Sequence, residues 1–81
     1  MIRVLLFAGL AETAGSSSIT LEGIQKPLTV QAVKEQLSAK YPAMKELLEK
    51  SMAAVNQEYA NSSDSIKESD EIAFIPPVSG G

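Results

Sequence analysis

Apolar and polar positions follow two different rhythms along this chain. Residues 2–8, Ile-Arg-Val-Leu-Leu-Phe-Ala, make a short run rich in branched and aromatic side chains that Gly9 closes, which predicts a strand. Strand parity puts Ile2, Val4, Leu6 and Ala8 on one face and Arg3, Leu5 and Phe7 on the other. Arg3 marks the second face as the wetter one. Leu5 and Phe7 are therefore expected either as a partly exposed apolar patch or packed under the loop that follows. Residues 9–15 fit one helical turn between two glycines. Ser16, Ser17 and Ser18 form a polar turn, and Ile19-Thr20-Leu21 alternates as a second strand paired with the first. Residues 23–27 read as a connection.

The rhythm then changes to a helical one. Thr29 suits an N-cap, because its hydroxyl accepts from the free N–H groups of a first turn. Val30, Val33, Leu37 and Tyr41 follow as one apolar stripe, with Gln31, Lys34, Glu35 and Ser38 opposite. Pro42 ends this helix by disfavouring helical geometry in the residue before it. Residues 43–50 predict a shorter helix with Met44, Leu47 and Leu48 inward. Residues 52–55 predict a strand, 56–58 a turn, and Tyr59 the start of a short return. A polar loop covers 61–65, and Asp70-Glu71 precedes a last strand over 72–75.

This order cannot build a doubly wound parallel sheet, which needs alternating strand–helix–strand units. It suits an α+β fold of the β-grasp, ubiquitin-like kind: a mixed sheet with one main helix packed across one face. The helix stripe is expected on Val4, Leu6, Ile19, Leu21, Val55, Ile72 and Phe74. With only one face covered, Leu5, Phe7, Ala73 and Ile75 point outward, and Tyr59 extends that patch. Contiguous exposed apolar surface marks a partner site. Residues 1–75 are expected as the folded domain and 76–81 as a flexible tail ending in Gly-Gly.

Composition narrows the chemistry. An 81-residue chain allows one domain with a small core. The sequence holds no Cys and no His, which excludes disulfides, a zinc site of the usual ligands, and any Cys- or His-based catalysis. The formal charge is −3, and the seven Lys and Arg are scattered, which argues against a nucleic-acid surface. The apolar N-terminal run is too short to span a bilayer and Arg3 interrupts it, so a cytoplasmic protein is expected, with no membrane partner. Glu68, Asp70 and Glu71 form the nearest thing to an acid pair. They read either as a solvated loop or as a contact for basic residues on a partner. No bound cofactor and no metal site are expected.

The remaining signal is at the carboxyl end. Pro76-Pro77-Val78-Ser79-Gly80-Gly81 combines a stiff exit with a slim tip whose extended reach is at most about 20 Å. Glycine has no Cβ, so Gly80 and Gly81 can enter a channel that crowds the backbone. The reactive group there is the carboxylate of Gly81. It is a poor electrophile until a better leaving group is attached, and an ATP-dependent partner can supply one as an acyl-adenylate.

Three segments carry a family resemblance that spans the whole chain. They are Phe7-Ala8 in the opening strand, Ala54-Val55-Asn56-Gln57-Glu58-Tyr59, and Asp70-Glu71-Ile72-Ala73-Phe74-Ile75 continuing through Pro76-Pro77-Val78-Ser79 to Gly80-Gly81. The sequence resembles the small subunits of molybdopterin synthase, which are ubiquitin-like sulfur carriers. The resemblance implies a cycle with three partners. A ubiquitin-activating-type enzyme uses ATP to join AMP to the Gly81 carboxylate. A sulfur donor protein converts the adduct to a thiocarboxylate. The tail, with Val78, Ser79 and Gly80, then enters the large synthase subunit of a heterotetramer and passes sulfur to cyclic pyranopterin monophosphate, building the molybdopterin dithiolene. On this reading Ile75, Phe7, Tyr59, Pro76 and Pro77 meet the partners, and the chain is a non-catalytic sulfur-donor subunit. Two positions depart from the family: Ala11 stands where many relatives carry a basic residue, and Ser69 where a Gly often precedes the Asp-Glu pair. Carriers for thiamine or tRNA thiolation, a protein modifier joined to Lys through Gly81, and a binding module with an inert tail are the alternatives.

Overall fold

The computed structural model describes residues 1–23 and 28–77. Most of the predicted connection at 23–27 and the last four residues of the predicted tail lie outside them. The elements in chain order are β1 (Ile2–Leu6), α1 (Gly9–Ala14), β2 (Ser18–Leu21), α2 (Val30–Lys40), a 3-10 turn (Pro42–Met44), α3 (Lys45–Lys50), β3 (Met52–Val55), β4 (Glu58–Ala60) and β5 (Glu71–Ile75). One five-stranded sheet has the order β2-β1-β5-β3-β4. β5 lies in its middle, parallel to β1 and antiparallel to β3. This is the mixed β-grasp sheet that the order of elements predicts.

Alternation sets the two faces. Ile2, Val4 and Leu6 of β1 and Ile72 and Phe74 of β5 are buried, while Arg3 is exposed and Leu5, Ala73 and Ile75 are half-buried. Across them, Val30, Val33 and Leu37 of α2 are fully covered, together with Met44 and Leu48. Tyr41, predicted on the same stripe, is half-buried against the core and caps the helix. Burying one large side chain of this kind contributes roughly 1.5–3 kcal/mol before chain entropy is counted. Two expected core members, Ile19 and Val55, are only half-buried. Ile19 belongs to an edge strand, and Val55 sits at the end of β3 next to a turn. Two residues that periodicity does not single out, Leu10 and Ile66, complete the core.

The start of α2 shows how loops and helix ends hold each other. The Thr29 side chain accepts from the Ala32 N–H at 3.1 Å. The Val30 and Gln31 N–H groups donate to the Asp64 and Ser62 carbonyls at 3.1 and 2.9 Å. Three of the four donors that a helix leaves free are thus satisfied, two of them by the polar loop. The Ile66 N–H donates to the Leu28 carbonyl at 2.9 Å, which pins that loop and buries Ile66.

The β3–β4 turn is tighter than the sequence suggests. Asn56 and Gln57 both have positive φ, 50° and 72°, and Glu58 already pairs with Val55. Two central residues with positive φ make a type I′ hairpin, whose twist matches the strands. At the far end of β5, residues 67–70 close a second turn. The Asp70 N–H donates to the Lys67 carbonyl at 2.9 Å, and the Asp70 carboxylate accepts from the Lys67 N–H at 2.8 Å. Ser69 is not among the described residues with positive φ, so the family's glycine is not required in this turn.

Candidate functional site

The face of the sheet away from α2 carries the candidate site. β1 contributes Leu5 and leads into Phe7, β5 contributes Ala73 and Ile75, β3 contributes Met52 and Ala54, and β4 contributes Tyr59. Cross-strand register brings them together: Leu5 is opposite Ala73, Ala73 opposite Ala54, Ala54 opposite Tyr59, and Met52 opposite Ile75. Phe7 is 47% exposed, Met52 52% and Tyr59 74%, high values for large apolar or aromatic side chains. The two alanines form a low floor, and the larger neighbours form the walls of an open hollow of roughly 370 Å³. Ala54 is buried by its neighbours even though it lies on the open face.

The patch has clear limits. On the β2 side, Ser18 stands opposite Leu5 and Thr20 opposite Arg3, both exposed and polar. Away from the tail, Arg3 faces Glu71 across β1 and β5 with an N–O distance of 3.6 Å. That pair is solvent-accessible and adds little stability. Beyond it the Asn56 side chain donates to Asp70 at 3.0 Å and accepts from the Glu71 N–H at 3.1 Å, clamping β3 to β5. The Lys67 backbone N–H, and after it the Asn56 amide, hold the Asp70 carboxyl below its ordinary range. Asp70 and Glu71 are therefore engaged within the sheet's own end, and of the acidic trio only Glu68 is exposed. Among the described residues no three acidic side chains come close enough to hold a metal ion, and no helix is long and apolar enough to cross a membrane.

The sequence-predicted residues fall into three groups. Phe7, Ile75 and Tyr59 come together on one face. Pro77 is exposed, but Pro76 is buried. Two residues beyond Phe74, strand parity carries Pro76 toward the core side, so it lines the domain and does not offer surface. Val78, Ser79, Gly80 and Gly81 lie outside the described residues. Ala11, at the position where relatives carry a basic residue, packs half-buried against the core. Met52 and Ala54 belong to the patch but were not assigned to it from the sequence, although their parity with respect to Val55 carries that information.

One backbone feature borders the patch. Ala8 has φ 51° and ψ −127°, and the Leu10 N–H donates to the Phe7 carbonyl at 3.1 Å. These values make residues 7–10 a type II′ turn with alanine at the position that favours glycine. A side chain held there costs on the order of 1–3 kcal/mol.

A helix laid across one face of a mixed sheet, with a central strand leading into the chain's last residues, defines a ubiquitin-like β-grasp protein. The chain belongs to the ThiS family, which it matches over residues 4–81, and within it to the molybdopterin synthase sulfur carrier subunits. It is 42% identical over 81 residues to the molybdopterin synthase sulfur carrier subunit of Dictyostelium discoideum, covering 98% of this chain and 94% of the relative. Among solved structures it is similar to the small archaeal modifier protein 1 of Methanosarcina acetivorans, with a TM-score of 0.83 and 31% identity over 99% of this chain and 95% of that one. It also shares its fold with a chain of the complex of subunits 1 and 2 of the molybdopterin-converting factor from Helicobacter pylori, at a TM-score of 0.66, 20% identity and coverage of 99% and 97%.

Proposed function

We propose that this chain carries sulfur on the carboxyl carbon of Gly81 and delivers it within molybdopterin synthase to cyclic pyranopterin monophosphate. The observation that carries this reading is near-full-length similarity to molybdopterin synthase sulfur carrier subunits in a chain without Cys or His. The chemistry then belongs to the terminal carboxylate. An adenylating enzyme of the ubiquitin-activating type transfers AMP from ATP to it and releases pyrophosphate. Sulfur at the oxidation level of sulfide, supplied by a donor protein, attacks the acyl carbon. The C–S bond forms as the bond to AMP breaks, leaving a thiocarboxylate. In the synthase that sulfur bonds to the pterin precursor, and water cleaves the acyl–sulfur bond and returns the carboxylate. Two such deliveries complete the dithiolene.

The open sheet face supports the partner assignment. Phe7, Ile75 and Tyr59, with Pro77, form the surface met in turn by the large synthase subunit and the adenylating enzyme. Val78, Ser79 and Gly80 lead Gly81 into each active site. The cycle runs in the cytoplasm. Its test is the intact mass of protein purified from its own cells, where one oxygen replaced by sulfur marks the thiocarboxylate. Deleting Gly81, or fusing a tag after it, abolishes sulfur transfer and leaves the thermal melt unchanged. An extended, untrimmed protein that still supports molybdopterin formation overturns the mechanism.

The likeness to a small archaeal modifier protein favours a second reading, in which the activated Gly81 carboxyl forms an isopeptide bond with a Lys of another protein. Gly81-dependent conjugates of higher mass in denaturing gels distinguish it from sulfur transfer.

A further inference from the structure

We infer that Ala8 is a positioning residue for the docking face: it stiffens the turn that holds Phe7 outward beside the root of the tail. This rests on the docking surface proposed above. Neighbouring residues in the 7–10 turn have different requirements. A Cβ at Gly9 would come within 2.9 Å of the Leu47 Cδ2, the end of a flexible side chain that would have to shift, and Gly9 itself keeps a negative φ. Position 8 needs glycine for conformation, since its φ is positive, yet it carries alanine. The Ala8 side chain is exposed, so its methyl fills no place in the core.

Stiffness accounts for the choice. Glycine at both positions would put two freely rotating residues between the exposed Phe7 and the buried Leu10. The turn is tied on both sides, by the Leu6 N–H donating to the Ser17 carbonyl at 2.9 Å and the Glu12 N–H donating to the Ala8 carbonyl at 3.1 Å. Alanine removes much of the freedom that those bonds leave. Carrying the parallel register one step past Leu6 and Phe74 sets Phe7 beside Ile75, and Ala8 turns the chain away from the strand at that point. The stiff turn therefore stands where β5 runs out into the tail. A loop already ordered in its bound form loses less entropy on binding.

Three full-length chains test this: native, Ala8→Gly, and a chemically synthesised chain with D-alanine at position 8. D-alanine takes positive φ without strain and remains restricted. Binding of each to the large synthase subunit is measured alongside its thermal melt. Ala8→Gly is expected to bind about three- to tenfold more weakly while melting no lower than native. The D-alanine chain is expected to bind within about twofold of native and to melt higher. Native-like binding by Ala8→Gly overturns the inference, as does a D-alanine chain that binds as weakly as the glycine one. Phe7→Ala in the same assay reports on the docking surface itself. If Phe7→Ala binds like native, the surface is misassigned and the inference falls with it; if it weakens binding while Ala8→Gly does not, only the inference falls.

Discussion

On the helix side of the sheet, Val4, Leu6, Ile72 and Phe74 are at most 1% exposed; on the other side, Leu5, Phe7, Ala73 and Ile75 from the same two chain segments keep contact with solvent. Composition does not separate the two sets, since both are apolar. The difference is what stands opposite. α2 and α3 cover one face, and nothing in this chain covers the other among the described residues. Large side chains left uncovered in this way, bounded by Ser18, Thr20 and the Arg3–Glu71 pair, are what the docking surface proposed above consists of. If one face serves stability and the other the proposed association, substitutions should separate the two properties.

The largest effect belongs to the covered face. Phe74→Ala should lower unfolding free energy by about 3–5 kcal/mol in chemical denaturation. An unchanged denaturation midpoint would mean that the faces are reversed. On the open face, Ile75→Lys should weaken binding to both the large synthase subunit and the adenylating enzyme, by a loss of about 2 kcal/mol if Ile75 is a central contact, with little change in stability. Unfolding of the free Ile75→Lys domain, or two unchanged affinities, removes Ile75 from the interface. Thr29→Ala should cost about 1 kcal/mol, because it frees a helix N–H without touching either face, and binding should be unaffected when both proteins are folded. The smallest effect concerns acid. The folded state holds the Asp70 carboxyl below its ordinary pKa. The resulting stabilisation is present above pH about 4 and is lost as pH falls further, through the folded value. Asp70→Asn should therefore flatten the acid limb of the stability profile below that pH and leave partner binding at neutral pH intact.

Much of this division is legible in the sequence because parity and helical spacing are geometric. The alternation from Ile2 to Leu6 and the stripe Val30, Val33, Leu37 are read without knowing the fold. The Thr29 cap follows from hydroxyl chemistry, and the stop at Pro42 from its ring. Ile66 and Leu10 were not legible as core, since each is a single large apolar residue within a polar or small-residue segment; a long-range hydrogen bond to Leu28 brings Ile66 inward and the local turn at residues 7–10 brings in Leu10. The depth of Val55 and Ile19 depends on where β3 ends and which strand is outermost, and Pro76 turns inward for reasons of register. The positive φ of Ala8 has no compositional sign at all, because the adjacent Gly9 attracts the expectation of a turn glycine to itself. At the site, parity identifies the open face, its aromatic members and Ala73, and carries Ala54 as well, whereas their meeting as the floor of one hollow emerges only when three strands are placed side by side.

The place of β5 has a consequence for how the protein is made. It is the last strand in the chain and the middle strand of the sheet. Until residue 75 has left the ribosome, β2–β1 and β3–β4 are two separate hairpins, and a two-stranded hairpin is marginal by itself in water. Contacts this distant in sequence also form late and slowly. Nascent chains that stop short of β5 therefore lack the strand that joins the two hairpins into one sheet and, with it, the middle of the open face.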